Sequence, residues 1–337
     1  MSKIVGFSVA FASTSVYLIR SSISKKWINF RSSKHDLTNK IIIITGGNTG
    51  LGFEAAKDFA RRNAKVIIAC RNVPNGDAAV DKINRANGNE NALCMELDLA
   101  SMASVQEFTT KLNDDQDYPK IDALVCNAGV WVPETAESKK TQDGLEIHFG
   151  VNHLSHMFLT KKLRNLLHNS GDGRVIFVSS SLMKSGKIDF EKYDHVYESR
   201  KKEDDQKSFA PPAYCDTKLM NALTCRSFSK VLPPTVGVYA VCPGFCRSSL
   251  GRHVSYPFYK KILIAPILLM LQRSPRQGAQ NIIFATVEDK SKLKSGEFYR
   301  DGEIAVEQTD YVDSLGEDLP AKLWDISEGI FQKFETK

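Results

Sequence analysis

Six short apolar runs, separated by helix-patterned stretches, predict an α/β protein with a doubly wound parallel sheet in a three-layer α/β/α arrangement. Two further observations sharpen this. The first run, Ile41 to Ile44, is apolar without alternation, as in a strand buried on both faces. It breaks at Thr45 into a turn carrying Gly46, Gly47, Gly50 and Gly52, and a helical pattern follows with Phe53, Ala56, Phe59 and Ala60 on one side. Strand, glycine turn and helix in that order make an anion site. Glycine lets a phosphate approach the backbone, and the helix start offers free N–H groups and the positive end of its dipole.

The other elements follow in order. Ala64 to Ala69 reads as a second strand, ending in Cys70-Arg71-Asn72. Leu93 to Leu97 gives a third, closed by Asp98, and Ile121 to Val125 a fourth, running into Asn127-Ala128-Gly129. A long helical stretch covers Phe149 to Leu167. Arg174 to Val178 is the fifth strand, ending in three serines, and Val236 to Val241 is the sixth, followed by Pro243-Gly244. Helical patterns at Met102–Leu112 and Thr217–Phe228 supply crossovers, and Ser274-Pro275 reads as the cap and first turn of a further helix. Parallel sheets bind ligands at the carboxyl ends of their strands, which is where these polar turns fall.

Composition sets the limits. A chain of 337 residues with 42% apolar and 25% charged residues is globular, with ample core. The seven cysteines are scattered and fit reduced thiols in a cytosol-facing protein better than a zinc site. His148, His153 and His156 do not share one helix face and read as core or rim residues, so no metal is expected. The net charge of +6 lies wholly in residues 1–40, which hold seven basic residues against Asp36. A basic leader on a neutral body points to a membrane or to targeting and away from nucleic acid.

Within that leader Ile4 to Ile19 carries no charge. As a helix it reaches about 24 Å, short of the roughly 30 Å hydrocarbon layer. A short signal anchor, with the basic cluster holding the body on the cytosolic side, is the favoured reading; a mitochondrial presequence and a cleaved secretory signal are the alternatives. The expected location is therefore membrane-associated, at the endoplasmic reticulum facing the cytosol, with the mitochondrion as alternative. A second apolar stretch, Tyr256 to Leu271, fits either a lid over a lipid-like substrate that also dips into a bilayer, or a helix packed on the body or on the other subunit of a homodimer.

Tyr214 and Lys218 stand four residues apart just after Pro211-Pro212, so they share a helix face. A phenol titrates near 10, and a neighbouring ammonium lowers that value enough for proton exchange. The spacing alone also suits a solvated helix face. An acid after the second strand would hold a ribose 2′-hydroxyl, whereas a guanidinium such as Arg71 suits a 2′-phosphate, so NADP(H) is expected over NAD(H).

The glycine turn, T-G-x-x-x-G-x-G, resembles that of the short-chain dehydrogenase/reductases. The resemblance runs from Leu37 to Tyr311 and implies a Rossmann-type fold. It is strongest to the retinol dehydrogenase branch, which includes the oxidoreductase domain of the WW-domain oxidoreductase. It rests on ACRN at 69–72, GVNHLSH at 150–156, PGFCRSS at 243–249, SPRQGAQ at 274–280, SGEFYRDGE at 295–303 and KLWDIS at 322–327. It implies a leader over 1–36, a catalytic domain over 37–311 and a C-terminal helical extension over 312–337. It also implies the catalytic set: Ser180 polarises the substrate carbonyl, Asn152 holds a water in a proton relay, Tyr214 exchanges the proton, and Lys218 supports it. Cofactor contacts are implied for Gly46, Asn48, Thr49, Gly50, Leu51, Gly52, Arg71, Asp98 (to the adenine amine), Asn127, Ala128, Gly129, Tyr214, Lys218, Pro243, Gly244 and Ser248. Cys70 replaces the aspartate of NAD-preferring members, and Ser248 replaces a threonine. The stretch between Ser180 and Tyr214 is long and includes a charged segment, Glu191 to Lys207. The expected activity is hydride transfer between NADP(H) and a small hydrophobic alcohol or carbonyl substrate, retinoids first and other isoprenoid or steroid-like lipids behind. The alternative is a membrane-tethered nucleotide-binding scaffold.

Overall fold

A computed structural model of the chain describes residues 24, 27–30, 33–133, 140–188, 210–247, 250 and 271–335. The strands are β1 (Ile41–Thr45), β2 (Lys65–Cys70), β3 (Ala92–Glu96), β4 (Ala123–Cys126), β5 (Gly173–Val178), β6 (Val236–Val241), β7 (Phe298–Arg300) and β8 (Glu303–Ile304). They form one sheet in the order β3-β2-β1-β4-β5-β6-β7-β8. Every pairing is parallel except β7 with β8. The six expected strands are present; β7 and β8 were not expected, because runs of three and two residues carry no readable period.

The helices are α1 (Gly50–Arg61), α2 (Val73–Asn87), α3 (Met102–Asp114), α4 (Ser155–Lys162), α5 (Arg164–Asn169), α6 (Pro212–Val231), α7 (Pro275–Val287), α8 (Val306–Ser314) and α9 (Asp318–Glu335). They cover both faces, which explains the unbroken apolar runs. Successive side chains of a strand point to opposite faces. Ile41 and Ile43 therefore join Phe108, Phe149, Phe158 and Phe228 in one apolar cluster, while Ile42 and Ile44 join Phe59, Ile68 and Ile283 in the other. Local chemistry sets the helix starts. Ser274 and Gln277 form a reciprocal capping box with Pro275 in the first turn of α7, and α6 opens at Pro212.

The long helix expected over Phe149–Leu167 is interrupted. Phe149–Leu154 is a π-helix, α4 follows, and the chain turns at Leu163 before α5. Such wide turns recur at functional sites, and this one contains Asn152.

Part of the leader lies on the body as a strap. Arg62, 3% exposed, pairs with Asp58 at 2.5 Å. Its guanidinium also donates to the carbonyls of Ser33 (2.9 Å), His35 (3.1 Å) and Phe30 (3.1 Å). Phe30 packs edge-on to Phe284, and the Trp27 ring covers the Arg273 guanidinium at 4.9 Å. Arg273 in turn holds Asp301 with both terminal nitrogens and reaches Pro243 O, beside the carboxyl ends of β7 and β6. The apolar run Ile4–Ile19, the charged stretch Glu191–Lys207, nearly all of Tyr256–Leu271, and Ser248 lie outside the described residues. Among the described residues no helix is long and apolar enough to cross a membrane.

Candidate active site

The strand order reverses between β1 and β4, and open α/β sheets bind ligands in the crevice at such a point. The turn after β1 and the Asn127-Ala128-Gly129 segment after β4 face each other there. Thr45, fully buried at the end of β1, joins them. Its Oγ1 accepts from the N–H groups of Asn127 and Ala128, both at 2.9 Å, and lies 2.9 Å from His156 Nε2. His156 Nδ1 lies 3.3 Å from Asn152 O, which fixes the tautomer: Nδ1–H donates and Nε2 accepts from Thr45. Burial holds the His156 imidazole at about 3, so it is neutral. The Asn127 amide donates to Thr45 O at 2.9 Å.

Gly46 and Gly50 have φ of +64° and +59°, a region that disfavours side chains. A Cβ on Gly52 would stand 2.4 Å from Gly46 O, so the turn closes onto α1 only with glycine at that position. Asn48, Thr49 and Leu51 complete the turn; Thr49 is the N-cap residue of α1, and no acid lies in that helix's first turn. Arg71 is exposed directly after β2. Asp98, after β3, accepts from Ala100 N–H at 3.0 Å and from Gln142 at 3.3 Å. After β6, Gly244 has φ of +81°, and a Cβ there would stand 2.7 Å from Arg273 Nε. A glycine-rich backbone turn, the exposed Arg71 and Asp98 thus follow β1, β2 and β3 at one edge of the sheet. The residues fit a nicotinamide dinucleotide.

The catalytic candidates meet on α6, the π-helix and the end of β5. Lys218, 4% exposed, donates to Val178 O at 2.9 Å, and Ser179 Oγ donates to Lys218 O at 2.6 Å. Burial lowers the Lys218 ammonium to about 8. It sits 5.3 Å from the centroid of the Tyr214 ring, on the same face of α6. Ser180 Oγ accepts from Leu182 N–H at 3.2 Å, and no described residue takes its proton. The Asn152 amide is engaged by Val130, with Oδ1 accepting from the N–H at 2.7 Å and Nδ2 donating to the carbonyl at 3.0 Å. It also donates to Thr217 at 3.3 Å, and Asn152 O accepts from Asn221 at 3.1 Å. These bonds make Asn152 a strut between the loop after β4 and α6.

One expectation changes sign. Lysine was expected to lower the Tyr214 phenol, but burial raises it, because Lys218 lies over the ring face and its nitrogen is turned to Val178. Tyr214 is therefore protonated at neutral pH. Its surroundings are apolar: Trp131, Leu182 and Leu250 pack around the cluster of Ala210, Tyr214 and Cys215. Sequence reasoning missed Thr45 and Trp131. The signal for Thr45 was a hydroxyl ending an otherwise apolar strand; Trp131 had none.

The family model for short chain dehydrogenases matches residues 40–194. Retinol dehydrogenase 14 of Mus musculus is 35% identical over 301 residues, 86% of this chain and 85% of that protein. The chain belongs to the short-chain dehydrogenase family. It is an oxidoreductase. Human retinol dehydrogenase 13 is 34% identical over 270 residues, 79% of this chain and 78% of that one. Among solved structures, a short chain dehydrogenase from Escherichia coli CFT073 complexed with NADPH superposes with a TM-score of 0.60 at 21% identity, over 80% of this chain and all of that one. A protein from Mycobacterium paratuberculosis gives a TM-score of 0.64 at 24% identity, over 91% of this chain and 97% of that one. At those identities the structures establish the fold of this short-chain dehydrogenase: a parallel sheet flanked by helices.

Proposed function

We propose that this short-chain dehydrogenase uses NADP(H) to interconvert a hydrophobic alcohol and its aldehyde or ketone, with retinoids first and other isoprenoid or steroid-like lipids behind. The observation that carries the reading is that Lys218 lies 5.3 Å from the Tyr214 ring centroid and is bonded to Val178 O, two residues before Ser180, at the same sheet edge as the glycine turn, while Tyr214 itself packs in an apolar cluster. The retinol dehydrogenase names of the relatives support the substrate class. Arg71, exposed where an acid would favour NAD(H), supports the phosphorylated cofactor.

When bound, the nicotinamide supplies or takes the hydride. The residues handle the oxygen. Ser180 donates its free proton to the substrate carbonyl and stabilises the developing negative charge. Tyr214, held protonated by burial, gives its proton to that oxygen in the reducing direction. For the Lys218 ammonium to stabilise the resulting phenolate, its nitrogen must turn from Val178 O to the phenolic oxygen. Asn152 fixes the loop opposite; its part in a water relay rests on the resemblance alone. The cofactor's phosphates fall to the 46–52 turn and Arg71, the adenine to Asp98, and its other end to 127–129, Pro243, Gly244 and Ser248. Membrane association through the leader and residues 256–271 belongs to the same reading.

Replacing Tyr214 with Phe removes turnover with NADPH in a panel of hydrophobic aldehydes and leaves NADPH binding intact. Running the panel with NADH as well tests the cofactor. Retained turnover in the variant, or a preference for NADH, contradicts the reading.

A further inference from the structure

The π-helix Phe149–Leu154 is gripped at one backbone atom, Asn152 O. A widened turn is a place where side chains can reach into the carbonyl ladder of a helix. Two do so here: Asn221 Nδ2 donates at 3.1 Å and His156 Nδ1 at 3.3 Å. A carbonyl only accepts, so the Asn221 amide must turn Nδ2 toward it and Oδ1 away. Oδ1 then faces His153 Nδ1 at 3.3 Å, which carries the proton and donates. The other end of His156 accepts from Thr45, which in turn accepts from the N–H groups of Asn127 and Ala128. Thr45, Asn152, His153, His156 and Asn221 are each at most 1% exposed. Burying five polar side chains is costly, and apolar ones would fill the same space without that cost. What the network supplies beyond cohesion is a fixed geometry at Asn152. Tyr214, Lys218 and Asn221 follow at i, i+4 and i+7 and share one face of α6. The Asn152 side chain donates to Thr217 Oγ1 at 3.3 Å, while its backbone oxygen takes the Asn221 bond, so α6 is held on either side of Lys218. The same side chain holds Val130 by two bonds. One residue thus spaces the loop after β4 from the reactive face of α6, and its own place depends on Asn221 and His156.

We propose that Asn221 and His156 are positioning residues for carbonyl reduction: together they hold the Asn152 carbonyl, and so set the spacing between the loop after β4 and the α6 face that bears Tyr214 and Lys218. This rests on the carbonyl-reducing reading above. The test uses the full chain, NADPH and the panel aldehyde that is reduced fastest. Rates are normalised to titrated NADPH sites well below each variant's Tm, which removes losses through unfolding. Asn221→Leu, close in volume and unable to donate, lowers kcat about tenfold and changes KM and NADPH affinity less than about twofold. His156→Leu lowers kcat to a similar extent and also weakens NADPH binding, because it releases Thr45 and the 127–129 segment. His156→Gln, which can accept from Thr45 and donate to Asn152 O, restores both. That pair decides the question by the same criteria if Asn221→Leu does not fold. Hydrogen exchange supplies a readout free of turnover: Val130 N–H, bonded to Asn152 Oδ1, exchanges about tenfold faster in Asn221→Leu, while the amides of β1 keep their protection. A chain that bound NADPH and reduced no aldehyde would contradict the reductase reading, and Val130 exchange would still decide whether Asn221 holds Asn152. Either an undiminished kcat or an unchanged Val130 exchange in Asn221→Leu overturns the proposal.

Discussion

Lys218 is 4% exposed and makes one hydrogen bond to a described residue, Val178 O, which is sparse support for a buried ammonium. Burial lowers it from 10.5 to about 8. Between those values the unfolded chain binds more protons than the folded one, so this group makes stability rise with pH across that window. Below about 8 the full cost of the buried charge is present. Lys218→Met, close in volume and uncharged, is therefore expected to raise Tm at neutral pH while abolishing turnover, and its advantage shrinks as pH passes from 8 toward 10. Thermal melts across that range check it; an advantage that stays constant with pH would assign the gain to packing. The neighbouring phenol does not confuse the measurement. Its pKa is raised, so it alters stability only above 10, where the unfolded chain ionises and the folded one does not.

The π-helix and α4 carry two neutral histidines in the core. Burial holds His153 at about 4 and His156 at about 3, against 6.5 for an exposed ring. As pH falls below 6.5 the unfolded chain takes up protons that the folded one refuses, so stability drops, by about 1.4 kcal/mol per histidine per pH unit once well below that value. Urea unfolding at pH 7, 6 and 5 measures the slope, and His156→Gln, which can still accept from Thr45, roughly halves it. An unchanged slope would mean that His156 is protonated in the fold. These elements also mark how far the sequence could be read. Ile41–Thr45 and its glycine turn were legible because burial on both faces and the turn's backbone demands act within a few adjacent residues. The candidates Asn152, Ser180, Tyr214 and Lys218 could be named only through the motifs that contain them. The contact between Thr45 and His156 spans 111 positions, and Trp131 meets Tyr214 only after the sheet has formed. No local pattern encodes either. The break in the helix at Phe149–Leu154 was hidden because its apolar period resembles that of an ordinary helix.

At the scale of the molecule, the strap formed by residues 27–30 and 33–37 ties the leader to the second apolar layer through Arg62. Among the described residues, Arg62→Ala leaves the carbonyls of Ser33 and His35 and part of Asp58 without a partner, while Phe30 O still accepts from Ser33 N–H. It is expected to cost about 3 kcal/mol, the low end for a broken buried pair, because Arg61 still reaches Asp58 at 2.8 Å. Chemical denaturation measures the loss, and a change below about 1 kcal/mol would show that the strap is held by its aromatic contacts and by bonds such as Phe30 N–H to Gln280 and Leu37 N–H to Arg62 O, not by the guanidinium. The strap also limits how the molecule can sit. Trp27 is fixed beside Arg273 at the carboxyl ends of β6 and β7, and residues 20–26 are all that separate it from the apolar run. Seven residues stretch no further than about 25 Å. A leader embedded in a bilayer would thus moor the molecule by the same edge that bears the catalytic crevice, so that an oily guest would cross a short gangway from lipid to enzyme and never need to swim through open water.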